Sequence, residues 1–455
     1  MTTPDDELLT KRSNDIGLDS LISVDIRTWF LKHFSVSIPV LKILSNDTMA
    51  NLVQMAIENI PADLIPNVGT GSSTPVISDS SLSKEQKSTN ATSQAQTPLE
   101  TKQIDWDAEY SLPDGFDALA STDGLSPVRN PPKVIVLTGV SGLLGHHLLD
   151  HLLRAPSVKK VICIAVRQLN ERLQTGKLHK GSRVAYYEGE LTMSRLGLSE
   201  EDARAIFAEA DLVIHNGADT SHVKTYPGVR AANVGSTQEL IRMALPRRIP
   251  FHYISSPGAA LFSDEEVILP APPPEGSYPP IDGLHGYMAS KWTCERFLQQ
   301  VNERYGQRIW IHRPSTIIRE GADAKGTTAQ LDWLNALLEY VRILKKAPRF
   351  EHNRGALDLV YVGNVCTEVV RHAMAQVAAE GAVTHVHEVG DLVVPLGELH
   401  KIDEEASGRV FDIVPMTAWM SQAIAAGLHP GVAALVEDMD TPGIPSYPRL
   451  QKGPA

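Results

Sequence analysis

The segment VIVLTGVSGLLGHHLL, residues 134–149, constrains the fold of this chain more than any other stretch. An apolar run typical of a buried strand leads directly into three glycines and an amphipathic helix. At such a junction one glycine permits a sharp turn, a second lets a pyrophosphate approach the backbone, and a third lets helix and strand pack closely. The amino terminus of the helix then holds phosphate through its free N–H groups and its dipole. The segment predicts a dinucleotide site rather than a plain glycine-rich turn, with four candidate cofactor-binding residues: Thr138, Gly139, Gly142 and Gly145.

From Lys133 onward, apolar strand segments alternate with amphipathic helical segments. Strands that are apolar throughout are buried on both faces, which indicates a parallel sheet covered by helices. We expect an α/β fold, with a Rossmann-type doubly wound parallel sheet in an NADP-binding core at residues 132–312. Beyond this point the pattern loosens into loops and helices with frequent proline and glycine. Residues 313–455 are therefore predicted to form mainly a smaller C-terminal substrate lobe.

The second predicted strand, in KVICIAVR, ends at Arg167. In a dinucleotide fold this end meets the adenosine ribose, where an acid favours NAD and an arginine accommodates the 2′-phosphate of NADP. No acid is adjacent, so Arg167 favours NADPH, and the alternative is a solvated surface arginine. A later strand ends in HNGA, where Asn216 is a further candidate cofactor-binding residue. Gly217 and Ala218 in the same segment would leave space for the cofactor or simply make a turn.

The segment GYMASKW places Tyr287 and Lys291 four residues apart, and therefore on one face of a helix. A lysine ammonium favours the phenolate, so it is expected to lower the pKa of Tyr287 from its usual value of about 10. Such a phenol can protonate a carbonyl oxygen while a nicotinamide delivers hydride. HYISSPG ends the preceding strand with Ser255 and Ser256, and a hydroxyl there could hydrogen-bond the same oxygen. A Tyr-x-x-x-Lys pair arises often by chance, but its position after the glycine turn and the serine pair favours catalysis.

The motif GLDSL surrounds Ser20 near the amino terminus. Asp19 and Ser20 are good N-cap residues ahead of an amphipathic run, so Ser20 is either a helix cap or the attachment point of a covalent group. Short amphipathic helices are expected within residues 1–62. The stretch that follows is rich in serine, threonine and glutamine and has few apolar side chains to bury. Residues 63–131 are accordingly predicted to form a flexible linker.

Charge and composition exclude several classes of protein. A net charge of −12 argues against nucleic acid or an anionic membrane surface as the main partner. We find no signal peptide and no apolar run approaching the ~18 residues that span a bilayer. The three cysteines are too far apart to suggest disulfides or a zinc site, so no metal is expected. The chain is predicted to be cytoplasmic, with neither a membrane nor a nucleic-acid partner.

In combination, these motifs resemble a known family. The region from Lys133 onward is similar to extended short-chain dehydrogenase/reductases. Within that family it most resembles the thioester reductase domains that end nonribosomal peptide synthetases, fungal polyketide–peptide hybrids and carboxylic acid reductases. GLDSL resembles the motif of a carrier protein, in which the serine bears 4′-phosphopantetheine. The segments that match the reductases are TGVSGLLGHHLL, AVR, VIHNGADTSHV, RAANVGST, YISS, GYMASK, HRPSTIIREGA and LDLVYVGNV.

The resemblance implies roles for individual residues. Ser256, Tyr287 and Lys291 would form the catalytic triad. Tyr287 and Lys291 would also bind the cofactor, and Lys291 would hold the nicotinamide ribose. NADPH would be gripped by the three glycines and Arg167. Ser20 would carry a 4′-phosphopantetheine arm, added by a phosphopantetheinyl transferase.

The resemblance also implies an organisation and a reaction. Residues 1–62 would be an acyl or peptidyl carrier domain truncated at its amino terminus, and residues 132–455 a thioester reductase that works with upstream synthase modules. The reaction would be reductive release of the carrier-bound thioester as an aldehyde, or as an alcohol after a second reduction. Two alternatives remain open: a Dieckmann-type cyclase that uses no redox step, and a degenerate fragment without catalytic activity.

Overall fold

The computed structural model describes most of the chain. The described residues are 9, 11, 20–34, 36, 38, 43, 48–58, 60, 103–120, 126–222, 224–263, 265, 267–319, 333–352, 355–375, 382–390, 392–429, 432–433, 436–437, 440 and 449–453.

The described residues include strands of two to seven residues, most of them in the carboxyl-terminal two thirds of the chain. They are β1 Val134–Thr138, β2 Lys160–Val166, β3 Val184–Glu188, β4 Leu212–His215, β5 Phe251–Ile254, β6 Val267–Ile268, β7 Ile309–Pro314, β8 Thr316–Ile318, β9 Lys346–Arg349, β10 Ala356–Tyr361, β11 Thr384–Glu388, β12 Leu392–Pro395, β13 Asp412–Pro415 and β14 Arg449–Leu450.

The α-helices alternate with these strands and also precede them. They are α1 Ser20–Phe34, α2 Met49–Glu58, α3 Trp106–Tyr110, α4 Phe116–Leu119, α5 Leu143–Arg154, α6 Leu169–Gln174, α7 Glu200–Glu209, α8 Tyr226–Arg230, α9 Ser236–Ala244, α10 Gly286–Tyr305, α11 Trp333–Leu344, α12 Val362–Ala375, α13 Lys401–Ser407 and α14 Met416–Ala425.

A seven-stranded parallel sheet in the order β11-β7-β5-β4-β1-β2-β3 forms the centre of the molecule. Every residue of β1, β4, β5 and β7 is buried, as expected for strands covered by helices on both faces. The strand order reverses between β1 and β4, and ligands of such sheets bind outside the carboxyl ends at this switch point. The predicted α/β, Rossmann-type doubly wound fold is confirmed.

The boundary that the sequence suggested at residue 313 is not a boundary in space. Strands β8, β10 and β12 form a separate small sheet, and β9 pairs with β13 beside it. The chain then returns to the main body, where β11 pairs with β7 and α12 buries Val365 and Val369 against α5 and β1. This return was not predicted, because the pairing of strands that are far apart in the sequence leaves no local pattern. The predicted lobe therefore shares the core of the large sheet.

Residues 103–120, which we call the strap, pack on the large α/β part of the chain, although the sequence placed them in a flexible linker. Trp106 is 4% exposed and Phe116 is 1% exposed. The Trp106 ring lies with its centroid 4.7 Å from that of Tyr226 and 5.9 Å from that of Trp292 on α10. This part of the linker prediction is wrong, because the two aromatic rings find their partners more than a hundred residues away. Most of the remaining predicted linker lies outside the described residues.

The amino-terminal helices α1 and α2 enclose a small apolar core of their own. It includes Val36, Ile38, Ile43, Leu52 and Ala56, all at most 4% exposed. Helix α1 begins at Ser20, whose side chain lies outside the described part of the structure. The choice between a cap and an attachment point therefore stays open at Ser20.

The buried strap predicts that Trp106→Ala destabilises the α/β part of the chain. Removing a large buried ring leaves a cavity, and we expect the free energy of unfolding to fall by about 3–5 kcal/mol. Urea unfolding followed by circular dichroism measures this change. Trp29→Ala is the matched control, because Trp29 is 50% exposed and should change the stability little. Equal small effects of the two substitutions would contradict the packing of the strap.

Candidate active site

The glycine turn after β1 brings three segments of backbone into close contact. Gly139 has a φ of +72°, and a Cβ there would lie 2.7 Å from Asn216 Nδ2. A Cβ on Gly145 would lie only 2.0 Å from the Gly139 carbonyl oxygen, so α5 can begin here only with glycine. At Gly142, where α5 is N-capped, a Cβ would meet the same oxygen at 3.4 Å, which is ordinary contact. Apart from the adjacent residues of the chain, no other atom of the described residues lies within 4 Å of that Cβ position, so the absence of a side chain at Gly142 leaves open space on the outer side of the turn, where a pyrophosphate would bind.

Thr138 joins the ends of β1 and β4. Its Oγ1 accepts hydrogen bonds from the backbone nitrogens of Gly217 at 2.9 Å and Asn216 at 3.1 Å. The same oxygen lies 2.8 Å from His215 Nδ1, and Asn216 Nδ2 donates to the Gly139 carbonyl oxygen at 3.2 Å. The structure therefore brings the predicted cofactor residues of both strands together at the switch point. A cradle of glycine backbone beside an uncrowded helix terminus fits a dinucleotide.

Arg167 lies exposed directly after β2, on the same edge of the sheet. A second cation, Arg172, lies beside Arg167 and was not predicted. Its Nε donates to the Arg167 carbonyl oxygen at 3.0 Å. The available signal was the position of Arg172 on α6, the short helix that follows β2. Arg167 and Arg172 are therefore neighbouring cationic residues at this edge of the sheet.

Helix α10 carries Tyr287 and Lys291 to the carboxyl end of β5. Lys291 is 2% exposed, and its Nζ donates to the Ile254 carbonyl oxygen at 2.6 Å. The same Nζ lies 5.7 Å from the centre of the Tyr287 ring. Ser256 Oγ accepts from the Gly258 nitrogen at 3.1 Å and also hydrogen-bonds the Tyr287 side chain. The side chains of the three predicted catalytic residues therefore lie together at the carboxyl end of β5.

The ionisation of this cluster differs from what the sequence suggested. Burial raises the pKa of Tyr287 to about 12, and the Ser256 hydrogen bond only partly opposes this rise. Burial also lowers the pKa of Lys291 to about 8. The expectation that Lys291 lowers the pKa of Tyr287 is not met, because the lysine donates to Ile254 and desolvation dominates at the phenol.

The two serines after β5 face different partners. Ser255 Oγ donates to Glu295 Oε1 at 2.5 Å in the buried interior. This leaves Ser256 as the hydroxyl beside Tyr287, in agreement with the preference for Ser256 that the resemblance gave. Its catalytic role stays a prediction.

Two further residues at the site, Asn233 and His222, lie in segments that match the reductases but were not singled out as site residues. Asn233, in a π-helical turn at residues 231–235, donates to Ser290 Oγ at 2.8 Å and accepts from the Asp219 nitrogen at 2.7 Å. It thereby ties the loop after β4 to α10. The His222 ring lies 5.0 Å from the Tyr287 ring, at the exposed side of the cluster.

Three further observations on the described residues concern metals, membranes and cysteines. Within these ranges no cluster of histidine, cysteine and acidic residues could hold a metal ion. No described helix has the length and apolar character needed to cross a bilayer. Cys163, Cys294 and Cys366 are buried and free.

Comparison with known proteins places this site in a family. Residues 137–369, just over half of the chain, match the NAD-binding family described as Male sterility protein. The chain is 47% identical, over 99% of its length, to the highly reducing polyketide synthase calA of Penicillium decumbens. It spans only 16% of that relative.

Solved structures give the same result for the fold. The terminal R domain from the myxalamid PKS-NRPS pathway is 25% identical with a TM-score of 0.62, covering 76% of this chain and 89% of that one. A thiolation-reductase di-domain from an archaeal non-ribosomal peptide synthetase has a TM-score of 0.58 at 15% identity, covering 94% of this chain and 84% of that one. The chain belongs to the Male sterility protein family of NAD-binding proteins, and its α/β part has the fold of the R domains that end polyketide and nonribosomal peptide synthetases.

Proposed function

We propose that this chain catalyses NADPH-dependent reductive release of an acyl or peptidyl thioester from a carrier, giving an aldehyde. The observation that carries the proposal is the convergence of Ser256, Tyr287 and Lys291 at the end of β5. The glycine turn of β1 lies two strands away along the same edge of the sheet. A dinucleotide bound at the glycine turn would lie along this edge, on the same side of the sheet as the three residues.

The residues of this chain would act on the substrate oxygen. NADPH, when bound, supplies the hydride that adds to the thioester carbonyl carbon. Ser256 and Tyr287 would hydrogen-bond the oxygen as its negative charge develops, and Tyr287 would donate a proton to it. A phenol whose pKa is about 12 is fully protonated at neutral pH and can serve as this donor. The hydroxyl proton then passes to the sulfur as the carbon–sulfur bond breaks and the carbonyl re-forms, and solvent returns a proton to Tyr287. One NADPH and one proton are consumed, and the products are an aldehyde, a free pantetheine thiol and NADP⁺.

Delivery of the substrate on a carrier is supported by the path of the strap. The Ile104 nitrogen donates to the Ile281 carbonyl oxygen at 3.0 Å, and the loop that contains Ile281 leads into α10 and Tyr287. The chain coming from the amino-terminal helices thus joins the reductase beside the loop that presents the catalytic tyrosine. The archaeal di-domain with the same fold unites a thiolation domain and a reductase. We propose that Ser20 carries the arm and that upstream synthase modules supply the acyl chain.

The reaction is tested with NADPH and an acyl pantetheine thioester. Wild type should consume NADPH and form aldehyde, and Tyr287→Phe should lower turnover by about a hundredfold or more, because it removes the proton donor. Tyr361→Phe is the matched control, since Tyr361 lies 36% exposed at the end of β10. A cyclic product without loss of NADPH would instead identify a Dieckmann-type cyclase. Unchanged turnover in Tyr287→Phe would remove this tyrosine from the mechanism.

The cofactor preference is tested at Arg167. In Arg167→Ser the Kd for NADPH should rise about tenfold or more, since a charge-assisted phosphate contact contributes about 1.5–3 kcal/mol. The Kd for NADH should stay the same. Fluorescence titration of both cofactors measures this, with Arg204→Ser as control because that side chain is 76% exposed on α7. Equal weakening of both cofactors would contradict recognition of the 2′-phosphate.

The attachment site is tested by mass spectrometry of the full chain. After incubation with coenzyme A and a phosphopantetheinyl transferase, the peptide that contains Ser20 should gain the mass of the arm. Ser20→Ala should gain nothing, whereas Ser13→Ala should be modified like wild type. Absence of the added mass in wild type, or an arm on another residue, would refute the assignment of Ser20.

A further inference from the structure

Glu295 is a buried carboxylate directly behind the catalytic cluster. It is 1% exposed and lies on α10 one helical turn after Lys291. Its oxygens accept hydrogen bonds from Ser255 Oγ at 2.5 Å, from Arg313 Nε at 2.9 Å and from Arg313 Nη2 at 2.5 Å. Three charge-assisted bonds therefore hold this carboxylate in one orientation.

The partners of Glu295 come from the ends of two neighbouring strands. Ser255 is the first residue after β5, and Arg313 lies near the end of β7. Arg313 is 0% exposed, and its Nη1 lies 3.4 Å from His387 Nε2 on β11. Glu295 thus connects the catalytic helix to the three strands β5, β7 and β11.

The connection to β5 has a direct geometric consequence. Successive residues of an extended segment point in opposite directions. Because Glu295 holds Ser255 toward the interior, the next residue, Ser256, is presented on the other side, where it meets Tyr287. Lys291, between Tyr287 and Glu295 on the helix, is bonded to Ile254, the residue before this serine pair.

The charge of Glu295 has a second consequence. A carboxylate one turn away favours the ammonium form of Lys291 and opposes the desolvation that lowers its pKa to about 8. Arg313 lowers the pKa of Glu295, so the carboxylate stays ionised in the interior. The other titratable groups that face this pair from the surrounding elements are Tyr253 and His215 on the sheet, Tyr287 and Cys294 on α10, and His385 and His387 on β11.

A purely structural ion pair is a weak explanation for this arrangement. Removing a guanidinium and a carboxylate from water is unfavourable, and well-packed apolar residues often replace such pairs without loss of stability. We propose that Glu295 is a positioning residue of the reductase site: it fixes Ser255 so that Ser256 faces Tyr287, and its charge supports the ammonium of Lys291. The proposal rests on the proposed thioester reduction for its kinetic consequences, but its effect on Lys291 can be measured without turnover.

The test compares Glu295→Gln with wild type in the full chain. Glutamine keeps the size and one acceptor oxygen but removes the charge. With NADPH and an acyl pantetheine thioester, kcat should fall by about tenfold to a hundredfold while KM changes little, since the residue acts on geometry rather than on substrate binding. Glu303→Gln, an exposed acid on the same helix, is the matched control and should leave kcat unchanged.

The pH profile separates a positioning role from a structural one. If the ammonium of Lys291 is required, activity is full below its pKa and falls as pH rises through about 8. Loss of the Glu295 charge lowers that pKa, so the alkaline limb should move toward lower pH by about one unit. An unshifted limb, with kcat equal to that of wild type, would overturn the proposal.

A titration independent of catalysis distinguishes failure of this proposal from failure of the proposed function. Lysines are ¹³C-methylated, and the Lys291 resonance is assigned by its loss in Lys291→Arg. In Glu295→Gln its titration midpoint should fall even if no thioester is reduced. Inactive wild type with this shift would refute the reductase function only, whereas an unchanged midpoint would refute the role of Glu295.

A further variant keeps the proposal testable if Glu295→Gln does not fold. Ser255→Ala leaves the pair of Glu295 and Arg313 intact and removes only the hydroxyl that Glu295 holds. It should lower kcat by about tenfold, with KM and the alkaline limb unchanged. A kcat equal to that of wild type would show that Ser255 does not orient Ser256 and would overturn the proposal.

Discussion

The close approach of Gly145 to the carbonyl oxygen of Gly139 is the contact on which the rest of the site depends. A Cβ at Gly145 would lie 2.0 Å from that oxygen, so the start of α5 and the end of β1 can meet only through glycine. Thr138 and Asn216 extend this contact to the end of β4. Strand β4 neighbours β5, after which Ser256 follows. The backbone contact of the two glycines and the side-chain bonds of Thr138 and Asn216 therefore help to set the position of the glycine turn relative to the cluster of Ser256, Tyr287 and Lys291.

Helix α10 is held from two sides. On one side the strap packs Trp106 against Trp292, and on the other Glu295 binds Ser255 and Arg313. Trp292 directly follows Lys291 in the sequence, so the helix presents its aromatic face to the strap while its lysine reaches the sheet. The contacts on these two faces hold the helix that carries Tyr287 and Lys291 against the sheet.

Features that arise within one strand–turn–helix unit were predicted correctly. The glycine turn and the four-residue spacing of Tyr287 and Lys291 follow from local periodicity, and the structure shows both. The strap was missed because Trp106 and Phe116 occur in a polar stretch and find their apolar partners only in the folded chain. The return of α12 and β11 to the main body was missed because their partners, too, are distant in the sequence.

By itself, the sequence determined the order of strands and helices, the position of the glycine turn, and the residue types available for acid–base chemistry. Each depends on residues that are neighbours along the chain. Only the tertiary structure decided that Ser255 turns inward while Ser256 meets Tyr287. It also decided that the pKa of Tyr287 rises rather than falls. Hydrogen bonding and desolvation are set by atoms that are distant in sequence, so no local pattern can encode them.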